Sequence, residues 1–142
     1  THESDGKANL HQGAVGVGID MCTGKSLFAV QNNIQIEKHP DTGFSFNELV
    51  IPGWDHILHL ASQCHEMVGL GYFGADIVLD KNKGPMILEL NARPGLAIQV
   101  ANQTGLGKRL KRIDQHISPM SADVDERIAL SKQLFAKPIA NS

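Results

Sequence analysis

FGADIVLDKNKGPMILELNARPG, residues 73–95, reads as a β-hairpin that runs into a tight turn. Residues 73–80 and 85–90 are strand-like, and Lys81-Asn82-Lys83-Gly84 between them is a polar loop closed by a glycine. With Asp80 opposite Pro85, antiparallel counting sets Val78 against Ile87 and Asp76 against Glu89. Side chains alternate along a strand, so this register turns Asp76, Glu89 and Asn91 to one face and Ile77, Leu88 and Leu90 toward a core. Two acids facing each other across a hairpin repel unless a cation lies between them. Carboxylate and amide oxygens are the donors Mg2+ prefers, and that ion takes its remaining oxygens from water and substrate phosphates. Asp76, Glu89 and Asn91 are therefore candidate metal ligands. The rival reading is a solvent-facing strand face that carries polar residues and nothing else.

Arg93 follows directly, then Pro94-Gly95 and the start of a short helix over residues 96–104. Backbone N–H groups at a helix start attract anions, and a guanidinium is a fixed fork for phosphate or carboxylate. Arg93 is thus a candidate substrate-handling residue.

Upstream, residues 14–21 and 26–31 form a second hairpin around Cys22-Thr23-Gly24-Lys25, with residues 34–37 extending its second strand. Residues 39–47 hold a proline, a glycine and several polar side chains, which predicts a mobile surface loop. Pro52 can occupy the first position of a helix over 53–67, where Trp54, Ile57, Leu58, Ala61 and Cys64 recur at helical intervals. Gly69 and Gly71 stop it. Beyond Gly105 and Gly107 a helix over 106–116 is expected, and Ser118-Pro119 opens a different composition with a solvated helix over 123–135. The expected architecture is α+β, an antiparallel sheet covered by helices, with a lobe over 1–117 and a helical tail over 118–142.

With 142 residues, 42% hydrophobic and 20% charged, the chain is sized for one domain with a real core. The net charge of -2 and the scattering of the 13 Lys and Arg, apart from Lys108, Arg109, Lys111 and Arg112, argue against nucleic acid as a partner. Cys22 and Cys64 have no paired spacing, which favours a cytoplasmic setting. No apolar run approaches the ~20 residues that span a bilayer, and the first residues lack the apolar core of a signal peptide, so no membrane association is expected. The first residue is Thr1 rather than a methionine, as expected of a processed product or a piece of a longer protein.

Three other patterns compete for chemistry. Gly69-Leu70-Gly71-Tyr72-Phe73-Gly74 spells GxGxxG, but it follows a helix and precedes a strand, the reverse of the dinucleotide-binding context. His56, His59 and His65 suggest a transition-metal site, yet no HExxH is present and half-exposed helix histidines are the simpler account. Cys64 lies on the apolar stripe and reads as core.

Three stretches give the chain a family likeness. Lys7-Ala8-Asn9-Leu10-His11-Gln12-Gly13, together with Gly74-Ala75-Asp76-Ile77 and Leu88-Glu89-Leu90-Asn91-Ala92-Arg93-Pro94-Gly95-Leu96, resembles the carboxy-terminal half of ATP-grasp ligases. The nearest group by these motifs is that of ribosomal-protein glutamate ligases and other α-L-glutamate ligase-like proteins. The resemblance implies two Mg2+ ions, for which Mn2+ can substitute, with Asp76 holding one, Glu89 bridging both and Asn91 completing the second. It implies ATP as co-substrate, with Lys7 and Asn9 at the phosphate and substrate end of the cleft, and a carboxylate substrate and an amine acceptor joined through an acyl phosphate. It further implies an amino-terminal ATP-grasp lobe as the other wall of the cleft, without which this piece is expected to be inactive and open to homo-oligomer formation. Two other functions fit the same residues: a non-catalytic binding or scaffold domain derived from such a lobe, and an enzyme that stops at the acyl phosphate.

Overall fold

The computed structural model describes residues 1–102, 104–116 and 123–136. Its first sheet is an antiparallel meander of β1 (Gly16–Ile19), β2 (Ser26–Gln31) and β3 (Ile34–Ile36). The turn into β2 is organised by Asp20, buried at 5% exposure, whose Oδ1 accepts from Cys22 N at 3.1 Å, Thr23 N at 2.8 Å and Thr23 Oγ1 at 2.8 Å. Asn32 and Asn33 both take positive φ, 50° and 63°, the geometry of a tight hairpin turn that Asn tolerates. That turn reverses the chain, so residues 34–36 form a strand of their own against β2 rather than its extension.

Residues 39–47 are not a featureless loop. Lys38 bridges to Ser45, His39 N donates to Phe44 O at 2.8 Å, Gly43 N donates to His39 O at 2.9 Å, and Phe46 is buried. The aromatic anchor outweighs the turn-forming composition.

Helix α1 (Trp54–Val68) begins one residue later than the expected start at residue 53, with Gly53 at its cap, and its Trp54 Nε1 donates to Met21 O at 3.0 Å. Cys64 is fully buried, as its place on the apolar stripe requires. Gly69, at φ 61°, donates its N–H to His65 O and ends the helix, so the GxGxxG string is a helix stop followed by a strand entry.

The carboxylate hairpin is a second, separate sheet of β4 (Gly74–Asp80) and β5 (Gly84–Asn91). The class is α+β as expected, but the strands divide into two antiparallel sheets where one was expected. After β5 a short 3-10 helix, Leu96–Asn102, lies over β1 and β2 with Ala101 buried, and α2 (Leu106–Asp114) follows.

Helix α3 (Val124–Phe135) opens on a capping box, Asp123 Oδ1 accepting from Glu126 N at 2.8 Å while Asp123 N donates to Glu126 Oε2 at 3.2 Å. It packs on α1 instead of standing in solvent. Leu134 is 3% exposed, Arg127 reaches Ser62 Oγ at 3.1 Å and Glu66 Oε1 at 3.0 Å, and Lys132 Nζ lies 2.6 Å from Asp55 Oδ1. Its cations lay their stems along α1 while their heads meet α1 carboxylates, so a charged composition still gives a docked face. The expected boundary between residues 117 and 118 lies outside the described residues. Among the described residues no helix is long and apolar enough to cross a membrane.

Candidate functional site

The hairpin sets Asp76 directly opposite Glu89, and the two rungs beyond, Ala75 with Leu90 and Gly74 with Asn91, continue without a break. Regular pairing over these rungs keeps Gly74, Asp76, Glu89 and Asn91 on one face. At the tip the register differs from simple counting: Asp80 pairs with Gly84, not Pro85, and Val78 pairs with Met86, not Ile87. The cause is local. Asp80 Oδ1 accepts from Asn82 N at 2.9 Å and Lys83 N at 2.8 Å, and Gly84 takes φ 75°, which closes the loop one residue sooner. These two hydrogen bonds, Asn82 first and Lys83 second, hold the Asp80 carboxyl below its ordinary value of 3.8.

A bulge between Asp76 and Ile77 absorbs the offset, leaving Leu88 as the extra residue of β5. Leu88 is 71% exposed, so the expected inward direction does not hold for it, because an inserted residue leaves the alternation. Ile77 and Leu90 are half-buried in the hairpin that α1 packs against, and a Cβ on Gly53 at the start of α1 would lie 3.5 Å from Pro85 Cγ.

Asp76 and Glu89 are exposed and Asn91 is half-buried. Among the described residues neither acid forms an ion pair, so their mutual repulsion is not relieved by a protein cation. Asn91 Oδ1 accepts from Arg93 N at 2.9 Å, which fixes the amide and ties Arg93 to the end of the acidic face. An amide oxygen has two lone pairs and retains one for another partner.

Gly74 completes the arrangement. A Cβ there would lie 2.8 Å from Pro94 Cβ, so only glycine lets the turn after β5 fold over the hairpin beside Asn91. A glycine carries no ligand atom in its side chain, so its role does not show in the pattern of donors. Its signal was its position two before Asp76, on the same strand face.

Lys7 and Asn9 stand on a different element. Both are exposed; Lys7 N donates to Ser4 O at 3.0 Å, and Asn9 caps a short 3-10 turn, Leu10–Gln12, with Oδ1 accepting from His11 N at 2.9 Å. The structure therefore brings Asp76, Glu89, Asn91 and the Arg93 backbone together on one hairpin, and carries Lys7 and Asn9 on the segment that precedes β1.

Among the described residues no group of three or more His, Cys, Asp or Glu is placed to hold a metal. The hairpin offers two carboxylates and an amide oxygen, a donor set suited to a hard cation that draws its other oxygens from water or phosphate. Two of the three helix histidines have partners: His59 Nδ1 lies 3.8 Å from Asp125 Oδ1, and His65 Nδ1 lies 3.1 Å from Leu70 O.

Compared with known proteins, residues 1–115 match the family described as sugar-transfer associated ATP-grasp. The match takes in the Asn9 turn, both sheets and α2. No curated protein and no solved structure gives a match.

Proposed function

The chain belongs to the sugar-transfer associated ATP-grasp family, and from that premise we propose that its β4–β5 hairpin is the Mg2+ and phosphate end of an ATP-dependent carboxylate-amine ligase. The observation that carries this reading is the Asp76–Glu89 rung, two unpaired acids directly opposed and flanked by an oriented amide. In this reading Asp76, Glu89 and Asn91 are the residues that would hold the ions. Bound there, the ions supply charge neutralisation and alignment for phosphoryl transfer.

The chain's own residues have separate tasks. Glu89 and Asp76 bring the negative charge that selects a divalent cation, and the Arg93 N–H holds the Asn91 amide so that its free lone pair has a fixed direction. The Arg93 guanidinium pairs with the acyl phosphate or the carboxylate that precedes it, and Lys7 and Asn9 serve the far end of the phosphates. The γ-phosphoryl group passes to a carboxylate oxygen, releasing ADP. The amine nitrogen then attacks the acyl carbon, phosphate leaves with the C–O bond electrons, and the amine gives up a proton as the amide forms. Glutamate as one of the substrates rests on the likeness of residues 88–96 to glutamate ligases.

Manganese broadening of NMR signals tests the metal site without any need for turnover. Mn2+ is expected to broaden the amides of Asp76, Glu89 and Asn91 selectively, and Glu89→Gln is expected to weaken that effect at least tenfold. A non-catalytic scaffold would show neither, and undiminished broadening in Glu89→Gln overturns the assignment. The acidic face is open and Leu88 is 71% exposed, so water is not excluded. Ligase turnover by residues 1–142 alone is accordingly expected to be undetectable, and robust amide formation by them would contradict the need for a second wall.

A further inference from the structure

A cavity of about 300 Å³ lies between α2, the end of α3 and strands β1 and β2. Three cations of α2 line it, Lys108, Arg109 and Arg112, and Asn102 and Thr104 add polar groups beside them. Its remaining walls are apolar, including Ile19, Leu27 and Phe135. No residue of the β4–β5 hairpin lines it. We propose that this cavity is an anion site that takes a small phosphate-bearing molecule, independent of the metal site on the hairpin.

A basic helix face is ordinarily a solvated one, and two features set this one apart. Among the described residues no carboxylate pairs with Lys108, Arg109 or Arg112. Arg109 is also drawn inward: its Cζ sits 5.4 Å from the centroid of the Phe135 ring, and its Nε is buried with no hydrogen-bond partner among the described residues. Burial lowers its pKa below the ordinary guanidinium range, the sign that desolvation acts against the cation. An anion in the cavity would reverse that penalty and give the three cations a common partner.

The charge count selects the ligand class. Three cations exceed what one carboxylate can balance, whereas a phosphate monoester brings about -1.5 to -2 at neutral pH with three acceptor oxygens. The volume is at the small end for ligand pockets, roughly 300–1,000 Å³, and the apolar wall gives the body of the molecule a surface to rest on.

The test is an NMR titration of the chain with inorganic phosphate and with ribose 5-phosphate, against sodium chloride at matched ionic strength. Saturable shifts are expected at the amides of Thr104, Lys108, Arg109 and Arg112, with ribose 5-phosphate at least as tight as phosphate. Lys108→Gln and Arg112→Gln are exposed changes that leave the fold intact, and each is expected to weaken binding about fivefold. Asp76→Asn should leave it unchanged. Shifts reproduced by chloride, or unaltered in the Lys108→Gln, Arg112→Gln double variant, overturn the site. Weaker binding of ribose 5-phosphate than of phosphate overturns the size assignment.

Discussion

Gly74 shows how much one missing methyl group decides. Gly74→Ala places a Cβ 2.8 Å from Pro94 Cβ, inside any normal carbon contact, so the turn over residues 92–95 must move or the strand must shift. Overpacking of this kind costs about 1–3 kcal/mol, and here the displacement falls on the turn that orients Asn91. A lowered melting temperature together with weaker Mn2+ broadening at Asn91 is the expected result; a change in neither would show that the turn is indifferent to that contact. Asp80 gives a second prediction, in pH. Its folded-state pKa is depressed, so its contribution is present above the unfolded value of 3.8 and is lost as pH falls through the folded value. Amide shifts of Asn82 and Lys83 followed from pH 7 to pH 2 should move with a midpoint below 3.8. A midpoint at or above it would mean that the two hydrogen bonds do not form in solution.

At the scale of elements, much of this chain could be read from its residues. The β2 strand, the Gly69 stop of α1 and the Asp76–Glu89 pairing follow from alternation and turn chemistry. The tip register did not, because counting assumes an unbroken ladder and two compensating irregularities leave no mark in hydrophobicity. The tight Asp80 loop advances the register by one and the Leu88 bulge returns it. The docking of α3 was hidden for another reason. Its contacts join residues more than sixty positions apart through Arg127 and Lys132, whose polarity reads as solvent exposure. The bulge makes a sharp prediction. Deleting Leu88 should yield a regular ladder in which Ile77 still faces Ile87 and Asp76 still faces Glu89. Cross-strand nuclear Overhauser contacts between those pairs should survive the deletion, and their loss would mean that the bulge itself holds the rung together.

For the whole molecule, α1 is the shared wall, packed against both the hairpin and α3. The α3 contact combines the buried Leu134 with ion pairs at Asp55 and Glu66, and exposed pairs of this kind contribute only about 0–1 kcal/mol each. Most of the docking energy must then come from apolar contact. Ending the chain at residue 116 should lower the melting temperature by several degrees, with little rescue or further loss between low and high salt. A shortened chain as stable as the full one would establish residues 118–142 as a separate tail.

The Leu88 bulge has one more consequence, for how this protein can change over time. Because it sits between the tip and the acidic rung, it uncouples them: the tip can gain or lose a residue and the bulge can be healed or remade in response. The outer end of the hairpin is therefore free to diversify toward whatever it meets, while the pair of acids at its base keeps its alignment.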